Sequence, residues 1–186
     1  MKVQSLILDV TAANRTMWTM KNHPDIVYMD IERDLEIPPT IFCDSRHMPF
    51  RDNTVDTAFF DPPHMWGVTS RTWSKPNLKQ QQEILPDKKY LDPYYGIDKY
   101  GTKTQLIVYV VYTLKELRRV LKPDGILWFK WNECSVSLRS ILTICDEWDE
   151  ILRIKRHKLR NMKGQHDTYW VTMIQKKMES RQSLLM

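Results

Sequence analysis

The chain has 186 residues, of which 42% are hydrophobic, 11% aromatic and 27% charged, a length and balance that fit one globular domain with a sizeable core and fall short of two. Its aromatic content, five glycines and three cysteines exclude collagen, low-complexity disorder and a disulfide-stapled miniprotein. The net charge, 28 − 23 = +5, permits an anionic partner without requiring one.

In chain order, Leu6–Val10 (LILDV) reads as a buried strand, and Arg15–Lys21 as a short helix before a turn at His23–Pro24. Ile26–Asp30 and Thr40–Asp44 follow as two strands, and Val55–Asp61 (VDTAFFD) as a fourth. Leu106, Val110, Leu114, Leu117 and Leu121 recur at helical spacing, which predicts a helix over Thr104–Leu121 that Lys122-Pro123-Asp124-Gly125 stops. Gly125–Trp131 is a fifth strand, Val136–Trp148 a second amphipathic helix, and Glu150–Lys158 with Asp167–Lys177 a hairpin around Asn161–Gly164. Strands alternating with helices and ending in a hairpin predict a three-layer, Rossmann-like α/β sheet, mostly parallel with a C-terminal antiparallel addition. Residues 1–178 form one domain on this reading, with a long loop at 65–103 and a tail at 179–186. Cys43, Cys134 and Cys145 form no CxxC pair and leave an odd count, which points to a reducing cytosol. No metal-ligand spacing is present, so no metal is expected. No apolar run reaches membrane-spanning length, and the N-terminal apolar stretch is too short for a signal peptide. A soluble cytoplasmic protein is the expectation.

Ligands of such sheets sit beyond the carboxyl ends of the strands, where strand order reverses. The predicted strands end in Asp9, Asp30, Asp44 and Asp61, four carboxylates on one rim. Aspartate caps turns and helices often enough to account for any one of them, but less readily for four in succession. Asp61 opens Asp61-Pro62-Pro63-His64. Two prolines fix two φ angles and remove two amide donors, so the Asp61 carboxylate and the Pro62 carbonyl are held as acceptors suited to the two hydrogens of a planar amine, and a ring at position 64 can stack on a base.

The loop that follows interleaves Trp66, Trp73, Tyr90, Tyr94, Tyr95 and Tyr100 with Arg71, Lys75, Lys79, Lys88, Lys89 and Lys99, the mixture that stacks bases and neutralises phosphates. Half of these aromatics are expected simply to anchor the loop. A second basic run, Arg153, Lys155, Arg156, Lys158, Arg160 and Lys163, contains no acid. It suits a phosphate backbone and, as well, a solvated edge strand that resists aggregation.

Asp61-Pro62-Pro63-His64 resembles motif IV, (D/N/S)PP(Y/F/W/H), of class I S-adenosylmethionine-dependent methyltransferases that act on amino groups. LILDVTAANR resembles their cofactor loop, IVYMDI the acidic strand end that holds the ribose, CDSRHMPF the adenine-contacting segment, and LKPDGILWFKWNE the turn and fifth strand. More closely, the series is similar to small stand-alone methyltransferases of phages and prophages described as DNA methylases. The resemblance implies S-adenosylmethionine as cofactor, held by Asp9, Thr11, Ala12, Asn14, Asp30, Ile31, Asp44 and Ser45. It implies catalysis by Asp61, Pro62, Pro63 and His64 on adenine N6 or cytosine N4 of DNA, with Trp66, Arg71, Trp73, Lys88, Lys89, Arg156, Lys158 and Arg160 on the nucleic acid. An RNA amine and a non-catalytic binding module of the same fold are the alternatives. The family loop carries glycines and this one, Val10-Thr11-Ala12-Ala13-Asn14, has none; alanine is small and asparagine tolerates the left-handed region, so a tight turn stays possible. Trp18, near this loop, is a weaker candidate for a cofactor wall.

Overall fold

A computed structural model describes residues 5–64, 102–156 and 166–177. Seven strands form one sheet in the order β3-β2-β1-β4-β5-β7-β6. They are β1 Ile7–Asp9, β2 Ile26–Asp30, β3 Ile41–Phe42, β4 Val55–Phe60, β5 Leu121–Asn132, β6 Trp148–Arg156 and β7 Thr168–Gln175. The first five pair in parallel, and β7 lies antiparallel to both β5 and β6. The predicted, mostly parallel sheet with its closing hairpin is therefore present.

Successive strand residues point to opposite faces, and this decides what each face holds. Leu8, Ala58, Phe60, Leu127, Phe129, Trp131, Val171 and Met173 belong to one continuous buried core. Helix α1, Lys103–Val120, lays Leu106, Tyr109, Val110, Leu114 and Leu117 into that core. Its start is fixed by a capping box, with Thr102 and Gln105 exchanging side-chain and backbone bonds. Near its end Arg119 donates to Glu116, Asp52 and the carbonyls of Phe50 and Met48, tying the loop before β4 to the helix. Helix α2 covers only Leu138–Ile144 of the predicted Val136–Trp148; it ends at Cys145, and Trp148 enters the same core as the first residue of β6.

The opposite face differs from expectation. Arg15–Lys21 is not a helix. Ala13 and Arg15 take positive φ angles of 44° and 54°, incompatible with a right-handed start. The Arg15 guanidinium holds the resulting coil, donating to the Lys21 carbonyl, Asn22 Oδ1 and the Pro38 carbonyl at 2.7, 2.5 and 2.6 Å and lying 3.8 Å over the Tyr28 ring. The coil delivers Trp18 edge-on to Tyr28 and Phe59, and Phe59 stacks on Trp128. Loop 10–25, not a helix, covers this part of the second face.

Lys122-Pro123-Asp124-Gly125 also behaves differently: it lies inside β5, which starts at Leu121 and slips register between Val55 and Thr57. A Cβ on Gly125 would stand 3.0 Å from the Lys122 carbonyl oxygen, 3.1 Å from that of Asp56 and 3.0 Å from a Leu121 methyl. Two of these neighbours are backbone and cannot rotate away. Gly125→Ala is expected to destabilise by about 1–3 kcal/mol through overpacking, a fall in Tm of roughly 2–10 °C for a chain of this size. An unchanged calorimetric midpoint would show that this irregular part of β5 yields freely.

Candidate active site

Strand order reverses at β1 and β4, so the chain leaving each turns to a different side and a crevice opens between them. One threonine spans it. Thr11 Oγ1 donates to the Asp61 carbonyl at 2.9 Å and accepts from the Asp61 amide at 3.1 Å. This reciprocal pair fixes the backbone of the Asp61-Pro62 step against the loop after β1. Val10 and Ala12 add backbone bonds to Phe59 and Met29, so the loop is fastened to the strand on each side of β1.

Asp9, at the end of β1, is fully buried. Trp18 Nε1 donates to its Oδ2 at 2.6 Å, while Oδ1 has no hydrogen-bond partner. Burial is the main reason that its carboxyl is pushed up to about 7; nearby Asp61 and Asp30 add to the effect and the Trp18 bond opposes it. A buried oxygen with no donor is uncommon in native proteins, and a bound group bearing an N–H or O–H would satisfy it. Asp30, at the end of β2, accepts from the Ala13 amide at 2.8 Å through Oδ2 and from the Glu32 amide at 2.8 Å through Oδ1. Each carboxylate oxygen has a second acceptor site, so capacity for a diol remains. Beside it Ile31 is 51% exposed at the rim, apolar surface that a ligand ring could cover. Asp9, Asp30 and Ile31 thus fit the cofactor that the sequence implies.

The other loop residues serve the turn. Asn14 is buried and its Oδ1 accepts from the Ile37 amide at 3.2 Å. The left-handed positions are Ala13 and Arg15, on either side of the asparagine that sequence reasoning favoured. Asp44, after β3, accepts from Arg46, which holds its carboxyl below the usual range. Ser45 is buried, bonding to the Tyr109 hydroxyl at 2.9 Å and Thr113 Oγ1 at 3.0 Å, so it joins this rim to α1. Trp18 serves the core and Asp9 together.

Asp61 brings a partner invisible to motif reading. Lys130, on β5, pairs with Asp61 Oδ2 and stands 5.7 Å over the Trp170 ring. Phe60 is opposite Phe129 across β4 and β5, which sets positions 61 and 130 side by side; the signal in sequence was a lone lysine in an apolar strand. His64 is half-buried, and desolvation lowers its pKa, favouring the neutral ring. Cys134 donates to the His64 carbonyl at 2.9 Å. Arg156 closes β6 opposite Thr168, which is opposite Asn132 at the end of β5, so it lies on the same rim. Trp66, Arg71, Trp73, Lys88, Lys89, Lys158 and Arg160 lie outside the described residues. No described helix is long and apolar enough to cross a membrane, and no group of three metal-ligating side chains occurs among the described residues.

Two outcomes follow. A carboxyl raised from about 3.8 to about 7 gives stability that is complete below about pH 4 and lost as pH rises through 7. The ligand-free protein should therefore lose on the order of 4 kcal/mol at most from this source between pH 4 and 8, and Asp9→Asn should flatten that slope in denaturant titrations; an identical slope would remove Asp9 as its origin. Ala13→Gly should stabilise the chain by about 1 kcal/mol, because glycine takes positive φ without strain; a lower Tm in the variant would contradict the strained turn.

No family model matches the chain, and no curated protein matches it. Solved structures do. The PH0226 protein of Pyrococcus horikoshii is 14% identical, with 95% of this chain and 84% of that chain covered at a TM-score of 0.53. A provisionally assigned type 11 methyltransferase of Sulfolobus solfataricus is 12% identical, with 95% and 87% covered at 0.50. An S-adenosylmethionine-dependent methyltransferase of Leishmania major is 11% identical, with 91% and 64% covered at 0.50. At these identities the likeness is one of fold: the chain shares the architecture of these structures, two of which are described as methyltransferases, over more than nine-tenths of its length.

Proposed function

We propose that the protein transfers a methyl group from S-adenosylmethionine to an exocyclic amine of a nucleic-acid base, with DNA adenine N6 the first target and cytosine N4 the second. The observation that carries this reading is the placement of Asp61: at the carboxyl end of β4, clipped to the loop after β1 by Thr11, and close enough to Asp9 to raise its pKa.

When bound, the cofactor supplies a methyl carbon made electrophilic by its sulfonium. Asp9, Asp30 and Ile31 are the residues placed to hold it, with Thr11, Ala12 and Asn14 shaping the loop and Asp44 and Ser45 the neighbouring rim. Asp61 and the Pro62 carbonyl accept the two hydrogens of the amine, which turns the nitrogen lone pair toward the methyl carbon. Lys130 occupies one Asp61 oxygen, orienting the carboxylate and leaving acceptor sites for the amine. The neutral His64 ring, set by Pro62 and Pro63, stacks on the base. The basic aromatic loop after His64, with Lys158 and Arg160 of the second basic run, carries the nucleic acid backbone.

Transfer of labelled methyl to DNA and RNA, with nucleoside mass spectrometry of the product, tests the reading. Asp61→Ala should lower transfer at least 10²-fold with cofactor affinity nearly intact, Asp61→Asn should retain more, and Lys130→Met should lower kcat more than it raises KM. Methylation by Asp61→Ala at the parent rate would move the site elsewhere. Label confined to RNA would replace DNA by RNA as substrate, and calorimetry showing no cofactor binding at millimolar concentration would favour the binding module.

A further inference from the structure

β6 is the edge of the sheet, and among the described residues only β7 pairs with it. Residues 149–156 are exposed along their whole length, with Ile151, Leu152 and Ile154 at 58, 49 and 51%. Such an edge offers a row of unpaired backbone donors and acceptors. Natural edges are blunted by scattered charge, yet here the charge is polarised: Asp149 and Glu150 open the strand, and Arg153, Lys155 and Arg156 close it. Asp146 and Glu147 extend the acidic end.

The register with β7 fixes the faces. Leu152 is opposite Thr172 and Ile154 opposite Trp170, in rows that continue to Trp128 and Lys130 of β5. Glu150, Arg153 and Lys155 are opposite Met173, Val171 and Tyr169, on the core side. Ile151 is the extra residue of a bulge between Glu150 and Leu152. In an antiparallel pair directly opposed side chains share a face. Without the bulge, matching acids to bases would oppose residues of different faces; one extra residue corrects the parity.

We propose that β6 pairs with β6 of a second copy of this chain, antiparallel about a two-fold axis at Arg153. Asp149 then meets the partner's Arg156, Glu150 the partner's Lys155, and Leu152 the partner's Ile154, each pair on one face. Arg153 meets its own copy, but each guanidinium is already paired with Glu150 of its own chain. Lys155 and Asp167 are paired within the chain at 2.8 Å, and Lys155 would exchange or share that partner. The strand complements itself, which is what an isologous interface requires. Because β6 runs in the direction of β5, the two crevices open on opposite edges of the joined sheet and remain accessible. This pairing places Arg156 against protein, and nucleic acid contact at that end of the rim falls to residues beyond it.

Sedimentation equilibrium over a concentration series reaching about 200 µM tests the pairing without reference to activity. The parent should approach twice the chain mass. Lys155→Glu/Arg156→Glu and Asp149→Lys/Glu150→Lys should each sediment as monomers, and an equimolar mixture of the two should restore the dimer as a mixed pair. Leu152→Thr/Ile154→Thr keeps strand propensity and charge and should raise the dimer Kd at least tenfold, so the surface is tested even if a charge variant fails to fold. A parent that stays monomeric, or charge-reversed variants that dimerise alone as well as the parent, would overturn the proposal.

Discussion

Two loops part where the order of the described strands reverses, between β1 and β4, and Thr11 holds them to one another across the gap. The centre of the rim, between β1 and β4, inherits its position from that clip. The loop after β1 follows Asp9 and, through the Ala13 amide, engages Asp30; the segment after β4 carries Asp61 and, through two prolines, His64. A single hydroxyl that both donates to and accepts from one residue leaves that residue little freedom to slide. The carboxylates are therefore brought close without direct contact; burial is the main reason that the pKa of Asp9, the most buried of them, is raised, and repulsion from Asp61 and Asp30 adds to it.

Repulsion of that kind costs stability unless a cation or donor relieves it. Within the chain Lys130 relieves Asp61, Arg46 relieves Asp44, and backbone amides serve Asp30, while Asp9 is served by the Trp18 indole and the Thr11 backbone and keeps Oδ1 without a hydrogen-bond partner. The crevice is thus left one donor short at its deepest acid. A ligand carrying a cationic amine and a sulfonium suits such a place on charge alone, and this connects the burial of Asp9 in the fold with its proposed use.

How much of this was legible in the sequence depends on range. The β-branched and aromatic content of Val55–Phe60 and the leucine spacing of α1 are local patterns, and they place that strand and the long helix to within a residue, whereas β5 begins four residues before the predicted Gly125. The rim followed from them, because acids at strand ends must line up once the strands are parallel. The helix expected over Arg15–Lys21 does not form because that local preference is overridden by acceptors at Lys21, Asn22 and Pro38 and by the Tyr28 ring, none of which propensity can weigh. Lys130 and Asp61 are 69 residues apart, and Ser45 reaches Tyr109 and Thr113 on α1. Those pairings exist only once register is known.

The bulge in β6 shows the same dependence at the far edge. As a string, Asp149 to Arg156 is a short acidic run followed by a basic one, and basic residues on an edge strand suit both a phosphate backbone and protection from aggregation. The extra residue at Ile151, seen only in the pairing with β7, changes which side chains share a face. It puts the two acids in phase with the terminal lysine and arginine of an antiparallel copy while setting Leu152 and Ile154 on the same side. A feature that usually discourages edge pairing is here the one that makes the strand complementary to itself. The proposed pairing thus gives the edge a different partner from the crevice, and β5 and β7 stand between β6 and the β1–β4 gap.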